Sequence, residues 1–154
     1  MTRLTESEYL AALASHEILS DTGAQFPSGT NRSGVKRTEH DEQVAVFRWA
    51  QLNELHWPCL RWMFAIPNGG KRATVTAVRL KAEGAKAGVP DIFLPYPTGG
   101  YCGLWIEMKI GSNKPTGYQR EWLVALSSSG YQVAVCYGAD EAIAALQDYL
   151  GGER

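Results

Sequence analysis

The pattern of apolar and polar residues predicts a chain in which helices and short strands alternate. Four segments have apolar residues at helical spacing or carry helix-start signals: 39–55, 72–83, 117–129 and 140–150. Four shorter runs have the apolar content and the Pro/Gly-rich boundaries of strands: 60–66, 90–95, 102–110 and 131–137. The order of these elements predicts an α/β fold, with a mixed central sheet of about four strands flanked by helices.

The two central strands are predicted to form a β-hairpin. Residues 96–101 (YPTGGY) between them have a turn composition. Antiparallel pairing would bring Asp91, at the start of the first strand, beside Glu107 in the second. Residues 131–137 follow a helix that follows the hairpin, so we expect this strand to pair parallel to the Glu107 strand. Gly130 is predicted to end the preceding helix, and Asp140 to cap the last one.

Two carboxylates and one lysine therefore meet at one end of the predicted hairpin. Glu107 and Lys109 share one face of their strand, whereas Met108 points to the opposite face. Carboxylate oxygens suit Mg²⁺ or Mn²⁺, which can polarise a phosphate and lower the pKa of a water molecule. Lys109 could orient or deprotonate that water, or offset charge on the phosphate. Solvated ion pairs are the alternative, although charges at the end of a buried strand require a reason.

Three motifs in a fixed order carry a resemblance to a known family. They are residues 66–70 (IPNGG), 84–91 (GAKAGVPD) and 105–109 (WIEMK). Over about residues 38 to 150 the chain resembles the VRR-NUC family, a branch of the PD-(D/E)xK nuclease superfamily. The resemblance implies a restriction-endonuclease-like sandwich, with residues 38–154 as the nuclease domain.

The resemblance also implies an activity. The expected reaction is hydrolysis of DNA phosphodiester bonds with Mg²⁺ or Mn²⁺, leaving a 3′-hydroxyl and a 5′-phosphate. Asp91 and Glu107 would bind the metal, and Lys109 would be the catalytic lysine. Branched DNA, such as four-way junctions or flaps, is the expected substrate, and a homodimer is the expected assembly.

The family also has an acidic residue on its first helix, for which this chain offers two candidates. Glu39 and Glu42 both lie in the first turn of the predicted helix, and we favour Glu39 as a third metal ligand. Acids in a first turn also stabilise the helix dipole, and Thr38 with Asp41 forms a capping-box pattern. The spacing of these residues leaves the choice open.

Further residues match the family, but local structure alone could also explain why they are present. Gln119 matches a glutamine that often follows the catalytic lysine in the superfamily, but Thr116 and Gln119 also form a capping-box pattern. Residues 67–70 are a good turn in their own right. The residues expected to contact nucleic acid are Asn68, Lys71, Arg72 and Lys86.

Charge and composition limit the classes of protein to which the chain could belong. The chain has 154 residues and a net charge of −1, but residues 61–120 contain nine Lys and Arg against three Asp and Glu, about +6. A basic segment around the predicted site is what binding to phosphates requires. No apolar stretch could span a membrane. The three cysteines lack the spacing of a zinc site, so we expect them to be reduced and mostly buried. Reduced cysteines are typical of the cytoplasm, here that of a bacterial or phage-infected cell.

Residues 1–37 are predicted to be peripheral, with a short amphipathic helix followed by a polar linker. Two other functions compete with a nuclease. One is a catalytically silent nucleic-acid-binding module, against which the presence of Asp91, Glu107 and Lys109 together argues. The other is a small-molecule phosphate-binding protein, for which the chain lacks P-loop spacing.

Overall fold

A computed structural model describes residues 37–67 and 79–151. Within these ranges the named elements are α1 (Glu39–Asn53), a 3-10 helix (Pro58–Trp62), β1 (Phe64–Ala65), β2 (Ile92–Leu94), β3 (Leu104–Lys109), α2 (Gly117–Ser128), β4 (Gln132–Tyr137) and α3 (Ala139–Gly151). Residues 79–82 are also helical. The predicted N-terminal helix and linker, and most of the predicted helix 72–83, lie outside the described residues.

The four strands form one mixed sheet in the order β1-β2-β3-β4. β2 pairs antiparallel with both β1 and β3, which confirms the predicted hairpin. β3 pairs parallel with β4, which confirms the predicted crossover through α2. The α/β fold with a mixed sheet and flanking helices is therefore the fold that the sequence pattern predicts.

The two faces of β3 carry side chains of different chemical character. Leu104, Ile106 and Met108 point into the main apolar core, to which α1 and α3 also contribute buried residues. Glu107 and Lys109 point to the opposite face, where α2 begins and where Gln119 reaches Glu107. We call this second side of the sheet the site face. Since side chains alternate along a strand, the same six residues build a core on one side and a charged site on the other.

The helix ends show which polar groups hold the elements in place. α1 and α2 both begin with complete capping boxes, Thr38 with Asp41 and Thr116 with Gln119. Gly130 follows α2 at φ +86°, as predicted for a residue that ends a helix. The prediction that Asp140 caps the last helix is wrong, since α3 already starts at Ala139. Because the Ala139 N–H donates to Glu42 of α1, the cap comes from a distant part of the chain.

Some other sequence predictions are also wrong in detail. Of the predicted strand 60–66, only Phe64–Ala65 is a strand, because Pro58 lies at the start of a 3-10 helix, where its fixed φ favours a helical turn. Trp62, the last residue of the 3-10 helix, is 63% exposed. None of the three cysteines forms a disulfide, but they are not mostly buried: Cys136 is buried, whereas Cys102 is exposed. No helix among the described residues is both long and apolar enough to cross a lipid bilayer.

Candidate active site

Asp91 lies directly before β2 and is held by both neighbouring strands. Its carbonyl oxygen accepts a hydrogen bond from the Ile66 N–H at 2.7 Å. Its Oδ2 accepts another from the Met108 N–H of β3 at 2.9 Å. Because Ile92 pairs with Ile106, the antiparallel register sets Asp91 opposite Glu107. The hairpin thus brings the two carboxylates to the same end of the sheet, as the sequence predicts.

Glu107 is fully buried, and the described part of the chain provides a partner for one of its two carboxylate oxygens. Oε1 accepts from the Lys109 ammonium at 2.5 Å and from the Gln119 side-chain amide. Lys109 Nζ also donates to the Met108 carbonyl at 2.8 Å, which fixes the ammonium over the end of β3. Oε2 is buried and has no hydrogen-bond partner among residues 37–67 and 79–151. Leaving a buried carboxylate oxygen unpaired is costly, so this atom marks a place where a ligand fits.

The pKa values of Asp91 and Glu107 are both raised, and burial is the largest cause for each. Burial raises the pKa of Asp91, and the Met108 N–H and Lys109 partly oppose that rise. Burial also raises the pKa of Glu107, to about 7, against the stabilising effect of Lys109, and the charges of Asp91 and Glu39 raise it further. Because the charge of Asp91 raises the proton affinity of the buried Glu107 carboxylate, the pair favours either a proton or a cation between them.

The residues present fit a hard divalent cation. Asp91 and Glu107 offer carboxylate oxygens, one of which is buried without a partner. Within the part of the chain that the structure describes, no three His, Cys, Asp or Glu side chains are grouped so as to hold an ion. Mg²⁺ usually keeps several waters and takes only one or two carboxylates from the protein. Two protein carboxylates are therefore sufficient for such an ion.

Glu39 and Glu42, the two candidates for the helix acid, occupy different environments. Glu42 Oε2 accepts from the Ala139 N–H at 2.9 Å, and Oε1 lies 3.7 Å from the Arg37 guanidinium. Glu39 is half-buried, and its charge contributes to the raised pKa of Glu107. Glu39 therefore acts electrostatically on the pair, whereas Glu42 serves the start of α3.

Gln119 satisfies both explanations that the sequence left open. Its Oε1 accepts from the Thr116 N–H at 2.8 Å, completing the capping box of α2. Its Nε2 donates to Oε1 of Glu107. One side chain therefore caps a helix and orients a carboxylate of the site. The two roles are compatible because an amide has separate donor and acceptor ends.

The loop before Asp91 is fastened to α2. The Trp122 indole N–H donates to the Ala87 carbonyl at 3.1 Å. Gly88, at φ +85°, approaches so closely that an added Cβ would lie 2.6 Å from the carbonyl carbon of Tyr118. In a sequence, a half-buried helix tryptophan signals only packing, so this role of Trp122 is visible only in the structure. Lys86 is exposed in the same loop; Asn68, Lys71 and Arg72 lie outside the described residues.

The structure combines an acid before one strand, a Glu-x-Lys motif on the next strand, and a mixed sheet between helices. These features define the restriction-endonuclease-like class of fold and site. The model of the VRR-NUC domain matches residues 37–140 of the chain. The chain therefore belongs to the VRR-NUC family, a family of nucleases.

Two further comparisons place the chain among known proteins. It is similar to a solved structure described as "VRR_NUC domain protein", with a TM-score of 0.66 and 29% sequence identity. The similarity covers 77% of this chain and 92% of that one. No curated protein matches the chain.

Proposed function

We propose that the protein is a divalent-metal-dependent endonuclease that hydrolyses phosphodiester bonds of branched DNA. The observation that carries the proposal is the buried Glu107 carboxylate, which has one oxygen bound to Lys109 and Gln119 and the other unpaired. Asp91 lies opposite it, and the two carboxylates repel each other. Such an arrangement costs stability unless a cation is bound there, which supports a catalytic rather than a structural role.

Each side chain of the site has a distinct role in this proposal. Asp91 and Glu107 hold Mg²⁺ or Mn²⁺, which when bound would polarise the phosphate and lower the pKa of a water molecule. Lys109 donates to Glu107 and to the Met108 carbonyl, and its third N–H bond is available to the attacking water or to a phosphate oxygen. Its positive charge also stabilises the negative charge that develops on the phosphate oxygens in the transition state.

Two supporting side chains complete the proposed site. Gln119 fixes the rotamer of Glu107, so that Oε2 keeps its direction without a hydrogen bond of its own. Glu39 adds negative charge at a short distance and would act through an intervening water. Asn68, Lys71, Arg72 and Lys86 would contact the DNA backbone.

The substrate and the assembly are proposed from size and charge. A domain of about a hundred residues has little surface with which to recognise a branched molecule, so a homodimer would supply the second half of the contact surface. The basic segment 61–120 carries the charge needed to bind phosphates. A light-scattering mass of one chain at assay concentration, with junction cleavage intact, would exclude the dimer.

Cleavage of labelled DNA tests the proposal directly. Four-way junctions, flaps, single strands and plain duplex would be incubated with Mg²⁺, Mn²⁺ or EDTA. We expect cleavage of branched DNA that needs the metal and leaves a 5′-phosphate. Asp91→Asn and Lys109→Met should each reduce the rate at least about a hundredfold. Glu54→Gln, at the far end of α1 from Glu39, is the matched control and should cleave like the unmodified protein.

The control outcomes separate the competing functions. Activity that survives both Asp91→Asn and Lys109→Met would show that the site is wrong or that a contaminant cleaves. Tight DNA binding without cleavage under every metal condition would favour the catalytically silent binding module instead.

A further inference from the structure

Tyr137 is the residue of β4 that pairs with Lys109. The parallel register joins Glu107 to Val135 and Lys109 to Tyr137. Residues paired across neighbouring strands project to the same face, about 4.8 Å apart. Cys136 lies in the main core on the opposite face, which confirms the alternation at this end of β4. Tyr137 thus stands on the site face, directly beside the lysine.

The backbone of Tyr137 is held firmly, whereas its ring is open to solvent. The Tyr137 N–H donates to Glu141 Oε2 at 2.7 Å, and the next residue, Gly138, donates to the Lys109 carbonyl at 3.0 Å. Tyr137 as a whole is nevertheless 41% exposed, although Val133 on the same face is buried. Within residues 37–67 and 79–151 no group forms a hydrogen bond with the Tyr137 hydroxyl group. A fixed backbone with a free phenol is suited to binding something from solvent.

We propose that the Tyr137 hydroxyl group donates a hydrogen bond to the DNA phosphate next to the scissile one. This inference rests on the proposed function, since it assumes that the scissile phosphate lies at Asp91 and Glu107. A strand of DNA that crosses the end of the sheet from β2 to β4 would pass Asp91, Glu107 and Lys109 before reaching Tyr137. A neutral phenol can bind a phosphate there without adding a second positive charge beside Lys109.

A substituted substrate distinguishes this role from simple packing. A methylphosphonate removes the charge of one chosen phosphate, and a set of DNA molecules can carry it at each position in turn. Binding would be measured by fluorescence anisotropy in Ca²⁺, and cleavage in Mg²⁺, for the unmodified protein and for Tyr137→Phe. Tyr131→Phe is the matched control, because Tyr131 lies on the same face about 20 Å away along the strand.

The expected result is specific to one phosphate. Tyr137→Phe should weaken binding and raise KM about fivefold to tenfold while kcat changes less than about twofold, because one hydrogen bond to a charged group is lost. The unmodified protein should lose affinity for the methylphosphonate next to the cleavage position, and Tyr137→Phe should lose no further affinity there. Tyr131→Phe should behave like the unmodified protein.

Three outcomes would count against the Tyr137 contact, the proposed function, or both. If Tyr137→Phe binds as tightly as the unmodified protein, or keeps its full sensitivity at the flanking phosphate, the inference is wrong. If no DNA is cleaved but Tyr137→Phe still loses its sensitivity at one particular phosphate in Ca²⁺, the proposed function fails, and Tyr137 binds a phosphate that is not defined by cleavage. If the protein binds no DNA at all, both fail.

Discussion

The side-chain amide of Gln119 joins the first turn of α2 to the buried carboxylate of Glu107. Its oxygen accepts from the Thr116 N–H, and its nitrogen donates to Glu107 Oε1. A helix end and a site carboxylate are thereby connected through a single residue. The position of α2 on the sheet and the direction of Glu107 cannot change independently.

This connection predicts different effects for two substitutions in the same capping box. Gln119→Glu keeps an acceptor for the Thr116 N–H but places a second carboxylate against Glu107, so we expect kcat/KM to fall at least about tenfold. Thr116→Val removes the acceptor for the Gln119 N–H and should cost about 1 kcal/mol of stability with little change in kcat/KM. Urea unfolding and steady-state cleavage would measure both. Equal losses of activity would show that Gln119 acts only as a cap.

The raised pKa of Glu107 predicts a stability that falls as the pH rises in the absence of metal. In the folded protein Glu107 titrates at about 7, above its ordinary value of 4.5, so between these pH values the folded state holds a proton that the unfolded state releases. Its contribution is therefore fully present below pH 4.5 and is lost as the pH rises through about 7, on the order of 3 kcal/mol. Urea unfolding in EDTA from pH 4 to 8 would measure it. Glu107→Gln should flatten this part of the curve.

The same carboxylate predicts how metal binding depends on pH. A cation competes with the proton on Glu107, so affinity for Mn²⁺ should rise as the pH increases towards 7 and level off above it. Raising the Mn²⁺ concentration should shift the midpoint of the activity profile to lower pH. Calorimetric titration at pH 6 and pH 8 would measure the affinities. A midpoint that does not move with Mn²⁺ concentration would contradict this linkage.

Substitution of Gly88 should disturb the active site, although Gly88 is not itself part of that site. Gly88→Ala would put a Cβ 2.6 Å from the Tyr118 backbone at a φ of +85°, so the loop that leads to Asp91 must move. We expect a loss of about 3 kcal/mol of stability and most of the activity. Gly84→Ala is the control: its φ is +97°, but no atom of the residues that the structure describes lies within 4 Å of the added Cβ. It should cost only about 1 kcal/mol, measured by thermal unfolding.

Substitution of the two first-turn acids of α1 should separate structure from function. Glu42→Ala leaves the Ala139 N–H without its partner and should cost about 1–2 kcal/mol of stability, with normal activity per folded molecule. Glu39→Gln should leave stability unchanged but lower kcat/KM about tenfold, because it removes negative charge beside the cation site. Cleavage and urea unfolding of both variants decide the assignment. The reverse pattern would identify Glu42 as the helix acid.

Several features followed from local patterns in the chain. The alternation of residues 104–109 determines that Glu107 and Lys109 share a face, and the Pro/Gly-rich turn between the hairpin strands determines that Asp91 lies opposite Glu107. Capping boxes and the position of Gly130 determine where α1 and α2 begin and where α2 ends. These features depend on neighbours a few residues apart, which is why a sequence reveals them.

Other features were decided only by contacts between distant parts of the chain. The cap of α3 comes from Glu42, 97 residues away from Ala139, and no local pattern separates Glu42 from Glu39 in this respect. The double role of Gln119, and the place of Tyr137 beside Lys109, likewise depended on how α2 and β4 lie against β3. The sequence by itself determined which residue types could form the site. The packing of the sheet and helices decided which of them meet, because hydrogen bonds and charge interactions act over a few ångströms in space, whatever the separation along the chain.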